Sequence, residues 1–503
     1  MRPISLLSAH RNLSWVVVLL IALGVAVLVG GLVAILGPIV APVLLIPVMV
    51  AVAIFFNYRI GIVFLALLLP FSQSQFLPKL PGFNIIGYLS LATILAFGFQ
   101  YVGWRRRFIK PPLWLLLFVL PVGFATVMGL PHLDEVPTYM VVTDAFAKTT
   151  ASRYIKDLFV YPMLTVLWAW MLAHAMRSSA QPQRYVWLLC ISSAIPALAV
   201  LISVAVLGFS GLQIMDMAES PTQGTRGLLS ISGFHANEVG LFLVTAFGPL
   251  LFMTAASKSM GERLPLLAML GVVTLALVLT FTRGAYLAAG LVVIFFLARG
   301  RGGVSMKLLA LLAVAVVIAT FGDAVVTRLM GGWSGYASFD ARAAAATASR
   351  SEIWRLLWPD VLANPIFGNG LRSTAWSFAA KSTVFPTHPH NLYLEILLDI
   401  GLVGLVMLLI FYKQFASALK AASERCQASP LVSAYLKGAN ASFIGYLASG
   451  FTNWHYTPVA ENTLIWAGLG VALACSTMKA CESPATASPQ ATAPQRQLGV
   501  SVL

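Results

Sequence analysis

The sequence predicts an all-α, polytopic helical membrane protein, and three observations carry that expectation. Hydrophobic residues make up 59% of the 503 positions and charged residues only 10%. Mean hydropathy is +0.87. Soluble globular proteins run near 45–50% apolar and about 25% charged, so a soluble enzyme, a disordered chain and a fibrous protein are all excluded as expectations. The third observation is arithmetic: at about 20 residues per span, about 14 spans (12–14) take about 280 residues, roughly the hydrophobic share of the chain.

The elements follow in order along the chain. Arg2 and Arg11 precede an apolar run from Leu13 to Leu36, too long for a signal-peptide core, which reads as a retained first span. Further apolar segments fall at about 39–56, 60–78, 84–103, 112–130, 157–176, 185–208, 238–256, 264–281, 284–298, 307–321, 391–412, 433–450 and 461–477. Those at 60–78 and 284–298 are short enough to be tilted or re-entrant. The longest hydrophilic stretch, Gly322 to Pro389, is expected as an ordered outer loop, because Ile353, Leu356, Leu357 and Val361 recur at helical spacing within it. The Ala/Ser/Pro/Gln-rich tail, 479–503, is expected to be disordered and cytoplasmic.

Orientation follows from Lys and Arg beside short loops. Arg105, Arg106, Arg107 and Lys110 mark one cytoplasmic loop; counting outward places Arg59, Arg177, Lys258, Arg299, Lys307, Lys413 and Lys420 on that side as well. The formal charge of +15 is therefore expected to reflect basic cytoplasmic loops rather than nucleic-acid binding. Both termini are then cytoplasmic and no cysteine faces outward, so no exported disulfide is expected.

Against this trend, Arg226, Arg283, Arg350, Arg355 and Arg372, with His235, His388 and His390, map to the outer face. Arg226 and His235 precede the span at 238, Arg283 opens the span at 284, and His388-Pro-His390-Asn391 leads into the span at 391. Those three spans run inward, so their N-termini, with free N–H groups and partial positive charge, face outward and suit an anion. Arginine adds a planar donor fork matched to phosphate oxygens. Together these residues predict an outward site for a phosphorylated, membrane-held ligand.

Each feature also has an unremarkable reading. A single outer arginine serves equally as a snorkelling anchor, although Arg283, with almost no loop around it, sits where a cation is costly. A lone loop histidine is ordinarily just solvated. Glu395 and Asp399 share a helix face; Glu395 reads as interfacial or functional, whereas Asp399 is expected to find a partner in the bundle interior. Trp354, Trp358 and Trp376 read as interfacial or core aromatics, with sugar stacking as the alternative. Gly368-Asn-Gly370 reads as a tight turn, since no Lys-Ser/Thr follows. No zinc spacing, nucleophile elbow or dinucleotide fingerprint stands out.

The run Arg350-Ser-Glu-Ile-Trp354, Asn364-Pro-Ile-Phe-Gly-Asn-Gly370, His388-Pro-His390-Asn391-Leu-Tyr-Leu-Glu395 and Gly401-Leu-Val-Gly404 resembles the bacterial O-antigen ligase and polysaccharide polymerase family. Arg226 with Gly233-Phe-His-Ala-Asn237, and Thr282-Arg283-Gly284-Ala285, fit the same pattern. The resemblance covers roughly residues 220–475. It implies a C-class membrane glycosyltransferase of the bacterial inner membrane with its site facing the periplasm. Such an enzyme moves glycan from an undecaprenyl-diphosphate carrier to a hydroxyl of lipid A-core (ligase) or of a growing polysaccharide (polymerase). It implies no metal and no cofactor, and other polysaccharide assembly proteins as possible partners. Residues 1–219 are then N-terminal transmembrane helices, 220–478 the catalytic membrane region with its periplasmic loop at 322–390, and 479–503 the tail. Ligase-type members carry fewer spans; the additional N-terminal pair departs from that pattern.

On this resemblance His390 is the first choice of general base and His388 the second, since neutral imidazole suits activation of a hydroxyl near pH 7. Arg226, Arg283 and Arg350 are expected to hold the diphosphate and stabilise its growing charge; Asn237, Asn391 and Glu395 support them. A lipid-linked glycan transporter would also want outward cations, but should show inverted repeats or several mid-membrane charges. A non-catalytic assembly subunit would not need His390 beside an arginine set.

Overall fold

A computed structural model describes residues 49–71, 84–103, 108–142, 146, 149–209, 229, 235–299, 307, 311, 350–381, 388–452 and 455–478. The expected span at 13–36, that at 307–321 apart from residues 307 and 311, Arg226 and the tail at 479–503 lie outside the described residues. Two compact units emerge, one of Met1–Phe64 with Tyr88–Arg107, the other of Leu65–Gly87 with Phe108–Leu503. The second unit carries every described residue discussed below as part of the site.

The described chain is helical. Its main helices are α1 (Tyr58–Leu68), α2 (Ile85–Gly103), α3 (Leu113–Glu135), α4 (Ala151–Arg177), α5 (Gln183–Phe209), α6 (Ala236–Ala256), α7 (Met260–Leu279), α8 (Arg283–Arg299), α9 (Arg350–Ala363), α10 (Leu392–Arg425), α11 (Pro430–Ser449) and α12 (Thr463–Cys475). Six segments, α3, α4, the Gln183–Val206 part of α5, α6, α7 and the Leu392–Ala428 stretch containing α10, are long and apolar enough to cross a membrane. The apolar segments read from sequence thus recur as helices wherever the chain is described. The helix expected at 391–412 instead runs on to Arg425, because Lys413, Lys420 and Arg425 lie in good helix-forming sequence that can continue into water.

The core of the second unit is built on α6 and α11. Gly248 and Gly438 face each other so closely that a Cβ on either would fall 2.5 Å or less from the other's backbone oxygen. Small residues permit this approach, and dispersion between the helices replaces the solvent-driven term that lipid cannot supply. Cys190 and Cys475 are free and buried. Cys426 is disulfide-bonded, a pairing the cysteine spacing did not signal.

The expected outer helix is present as α9. Leu357 and Val361 pack with Leu394 and Leu398 of α10, and Ile353, Trp354 and Leu356 close the same cluster. The loop after α9 then enters α10 itself. At Gly401 the helix breaks, with φ 66° and ψ −168°. The backbone of 365–370 takes up the groups freed by the break. Asn369 N–H donates to Leu398 O at 2.8 Å and Gly370 N–H to Asp399 O at 3.0 Å; Leu402 N–H donates to Pro365 O at 2.8 Å and Val403 N–H to Ile366 O at 3.2 Å. Each such group left open in an apolar setting would cost several kcal/mol. The turn motif therefore serves as the missing partner of a discontinuous helix.

Glycine is required at the break. A Cβ on Gly401 would lie 2.4 Å from Ile366 O, in a backbone region essentially closed to other residues. Gly401→Ala is expected to destabilise the protein by more than about 1–3 kcal/mol. Thermal unfolding in detergent checks this; an unchanged midpoint would show that the loop and helix tolerate separation.

Candidate functional site

The N-termini of three helices meet around the C-terminal end of α11. Thr282, one residue before α8, donates from Oγ1 to Ala236 O at the start of α6 (3.1 Å). Gly284 lies against Thr452 so closely that a Cβ would come within 2.2 Å of its hydroxyl. Leu392 N–H, at the start of α10, donates to Gly450 O at 2.7 Å. The positive ends of α6, α8 and α10 thus share one end of the bundle, and an anion there would be favoured by all three.

The predicted residues distribute over this end as follows. Arg283 is half-buried and opens α8 two residues after Phe281, whose φ is 47°. Asn237 sits in the first turn of α6, its Oδ1 3.4 Å from Thr282 Oγ1. Asn391 caps α10, its Oδ1 accepting from Tyr393 N–H (3.0 Å) and Leu394 N–H (3.1 Å). Asn favours this position because its short side chain reaches the free N–H groups of the first turn. Asn391 is therefore accounted for as a cap. Arg350 begins α9. Arg226 lies outside the described residues.

His388 and His390 stand with ring centroids 3.9 Å apart, tilted by 58°. His390 holds φ 52°, a left-handed conformation that histidine tolerates better than most residues. The turn is pinned by Trp354, whose Nε1 donates to Pro389 O at 2.8 Å. Burial pushes the His388 pKa well below the ordinary 6.5, helped by neighbouring His390, Arg372, His455 and His235. His388 is consequently neutral at pH 7 and has a nitrogen lone pair to offer.

Glu395 is buried, 1% exposed, rather than interfacial, since one turn into α10 is already covered by the loop after α9. Its Oε1 lies 3.8 Å from Arg372 Nη1. Asp399, fully buried, finds its expected partners: it accepts from Ser373 N–H (2.9 Å), Ser373 Oγ (2.8 Å) and Tyr456 Oη (3.0 Å). Tyr154 Oη donates to Leu371 O at 2.5 Å, fixing the same loop from α4. Trp376 is buried beside Tyr154 and stacks on His132, whereas Trp358 is exposed.

Several residues of this end were not singled out by sequence. His455 Nδ1 lies 3.0 Å from Glu461 Oε1, which also accepts from Tyr446 Oη at 3.0 Å. Tyr456 lies against Asp399; burial, with the Asp399 and Glu395 carboxylates, pushes its pKa up and keeps it a donor. The available signal was His455-Tyr456-Thr-Pro458 between two apolar helices, on the side already holding His388. Among the described residues, no group of three or more His, Cys, Asp or Glu side chains is disposed to hold a metal ion.

Residues 266–409 match the O-antigen ligase family. No curated protein matches the chain. The O-antigen ligase segment runs from α7 to beyond the break in α10, so it contains Arg283, Arg350, Arg372, His388, His390, Glu395 and Asp399. His235, Asn237, His455 and Glu461 lie outside the matched residues yet border the same end through the α6 and α11 contacts. Among the described residues the chain is helical, with six helices long and apolar enough to cross a membrane, and its 266–409 segment is similar to the O-antigen ligase family.

Proposed function

We propose that this protein is a glycosyltransferase that moves glycan from an undecaprenyl-diphosphate carrier to an acceptor hydroxyl on the periplasmic face of the inner membrane, as an O-antigen ligase. The observation that carries the reading is the convergence of three helix N-termini and Arg283 on the end that holds the His388–His390 pair. The diphosphate is the leaving group, and a preorganised positive field is worth most where charge grows as the C1–O bond breaks. A neutral imidazole is suited to take the proton of the attacking hydroxyl. Arg226 and Arg350 remain proposed diphosphate contacts through the family pattern alone. The sequence reading of about 14 spans with cytoplasmic termini supports an outward position for this end.

The family match bears equally on a polymerase that uses a growing carrier-linked polysaccharide as acceptor. Incubating purified protein with carrier-linked glycan, with and without lipid A-core, separates the two. Glycan joined to lipid A-core is the expected product. Lengthened carrier-linked chains would assign polymerisation instead, and neither product, with carrier-linked glycan left intact, would reject the transferase reading.

A further inference from the structure

Between α4, the loop after α9, the first turn of α10 and the segment before α12 lies a small cleft bordered by Leu158, Arg372, Glu395, His455 and Tyr456. Its charge differs from that of the helix-end region. Glu395 and Asp399 are one turn apart on α10, both essentially inaccessible, and Glu461 is buried beside His455. Only Glu395 Oε1 faces Arg372; the second oxygen, Oε2, is buried with no hydrogen-bond partner among the described residues. A buried carboxylate oxygen left without a donor costs free energy, so its retention beside a cleft marks a place where a donor arrives. Asp399 differs, because Ser373 and Tyr456 already donate to it.

The chemistry of that donor can be narrowed. A diphosphate brings no proton to give at neutral pH, so it cannot supply a hydrogen bond to Oε2. A neutral hydroxyl donates to a carboxylate readily, and the small cleft matches a hydroxyl-sized group. We propose that Glu395 Oε2 is an acceptor-sugar subsite: it accepts a hydrogen bond from a hydroxyl of the incoming glycan, while Arg372 holds the carboxylate in place from Oε1. Arg372 is set for this by its own backbone, at φ 66° and ψ 33°, and by Ser373, which ties the next residue to Asp399. Glu395 is a specificity-determining contact, and Arg372 is a positioning residue. The inference rests on the transferase reading for the identity of its ligand, though not for the existence of the cleft.

The experiment measures binding and turnover separately in wild-type protein, Glu395→Gln and Arg372→Lys. Lipid A-core oligosaccharide and carrier-free repeat-unit glycan are titrated without donor, and carrier-linked glycan is titrated without acceptor. Glu395→Gln should weaken acceptor-glycan binding by about 3- to 10-fold, the loss expected for one hydrogen bond. Carrier-linked glycan should bind Glu395→Gln within about two-fold of wild type, which also shows that the variant is folded. Arg372→Lys, which keeps the charge but loses the fork, should raise the acceptor KM with less effect on kcat. Unchanged acceptor binding in Glu395→Gln would overturn the proposal, as would a loss confined to the carrier-linked donor or wild-type protein that binds neither acceptor glycan. Acceptor binding that depends on Glu395 in a protein that transfers nothing would uphold the subsite and reject the transferase reading.

Discussion

His390→Ala is expected to lower turnover by about 100- to 10,000-fold, the usual yield of a positioned general base, while leaving carrier-linked glycan bound. The base acts on the acceptor, whereas the diphosphate is held by cations and helix ends. The 3.9 Å contact between the two rings makes His388→Ala the necessary companion, since either imidazole can face the hydroxyl. Their pH dependence distinguishes them. The His388 pKa lies well below 6.5 because burial and adjacent cationic groups disfavour its charged form. A reaction that uses His388 as base therefore keeps its rate as pH falls through 6.5, and its acid limb lies lower. The same shift makes the unfolded chain the better proton binder below about pH 6.5, so the stability present above that pH declines as pH falls. Rates of kcat/KM from pH 5 to 9 for both variants check the assignment. If His390→Ala turns over normally and His388→Ala does not, the base is His388; if neither matters, no imidazole is the base. Partial recovery of His390→Ala at high pH is also expected, as ionisation of the acceptor replaces the lost base.

What was legible in the sequence is what depends on periodicity and on local chemistry. The spans at 84–103, 185–208, 238–256 and 264–281 recur as α2, α5, α6 and α7, because a run of apolar residues of span length has few other solutions. The amphipathic pattern around Leu357 and Val361 identified α9 for the same reason, and Asp399 announced a buried partner because a carboxylate in an apolar helix needs one. The break at Gly401 was not legible. Gly401 and Gly404 look like ordinary small residues in an apolar span, and the discontinuity exists only because the backbone of 365–370 arrives from outside the helix to satisfy it. Arg372 was seen as an outward cation but not as a partner of Glu395, since that pairing depends on the same inserted loop. His455 and Glu461 follow the last break between helices; their nearness to His388 is set by how α11 packs on α6 and α10, which no local pattern encodes.

Arg283→Lys should fail in a different way, losing both carrier binding and rate. Arg283 stands at the start of α8, where the helix field opposes a cation, and the starts of α6 and α10 add to that field through the Thr282–Ala236 and Leu392–Gly450 hydrogen bonds. An anion bound at these helix ends would meet both their field and the guanidinium fork. Lysine preserves the charge but offers a single point donor where the guanidinium presents a planar fork to two phosphate oxygens. Loss of one donor from a preorganised anion site typically costs about 100- to 1000-fold in rate, and here the same contact acts before and during bond cleavage, so affinity falls as well. The check is titration of carrier-linked glycan alongside single-turnover rates in both Arg283→Lys and His390→Ala. The expected pattern is weak binding with slow turnover in the first and normal binding with slow turnover in the second. Wild-type affinity for the carrier in Arg283→Lys would remove Arg283 from the diphosphate site and leave the anion field to the helix ends with Arg226 and Arg350. Raising ionic strength separates charge from geometry: lysine keeps the charge, so carrier binding by wild type and Arg283→Lys should fall with salt to a similar degree, leaving the difference between them to the donor fork.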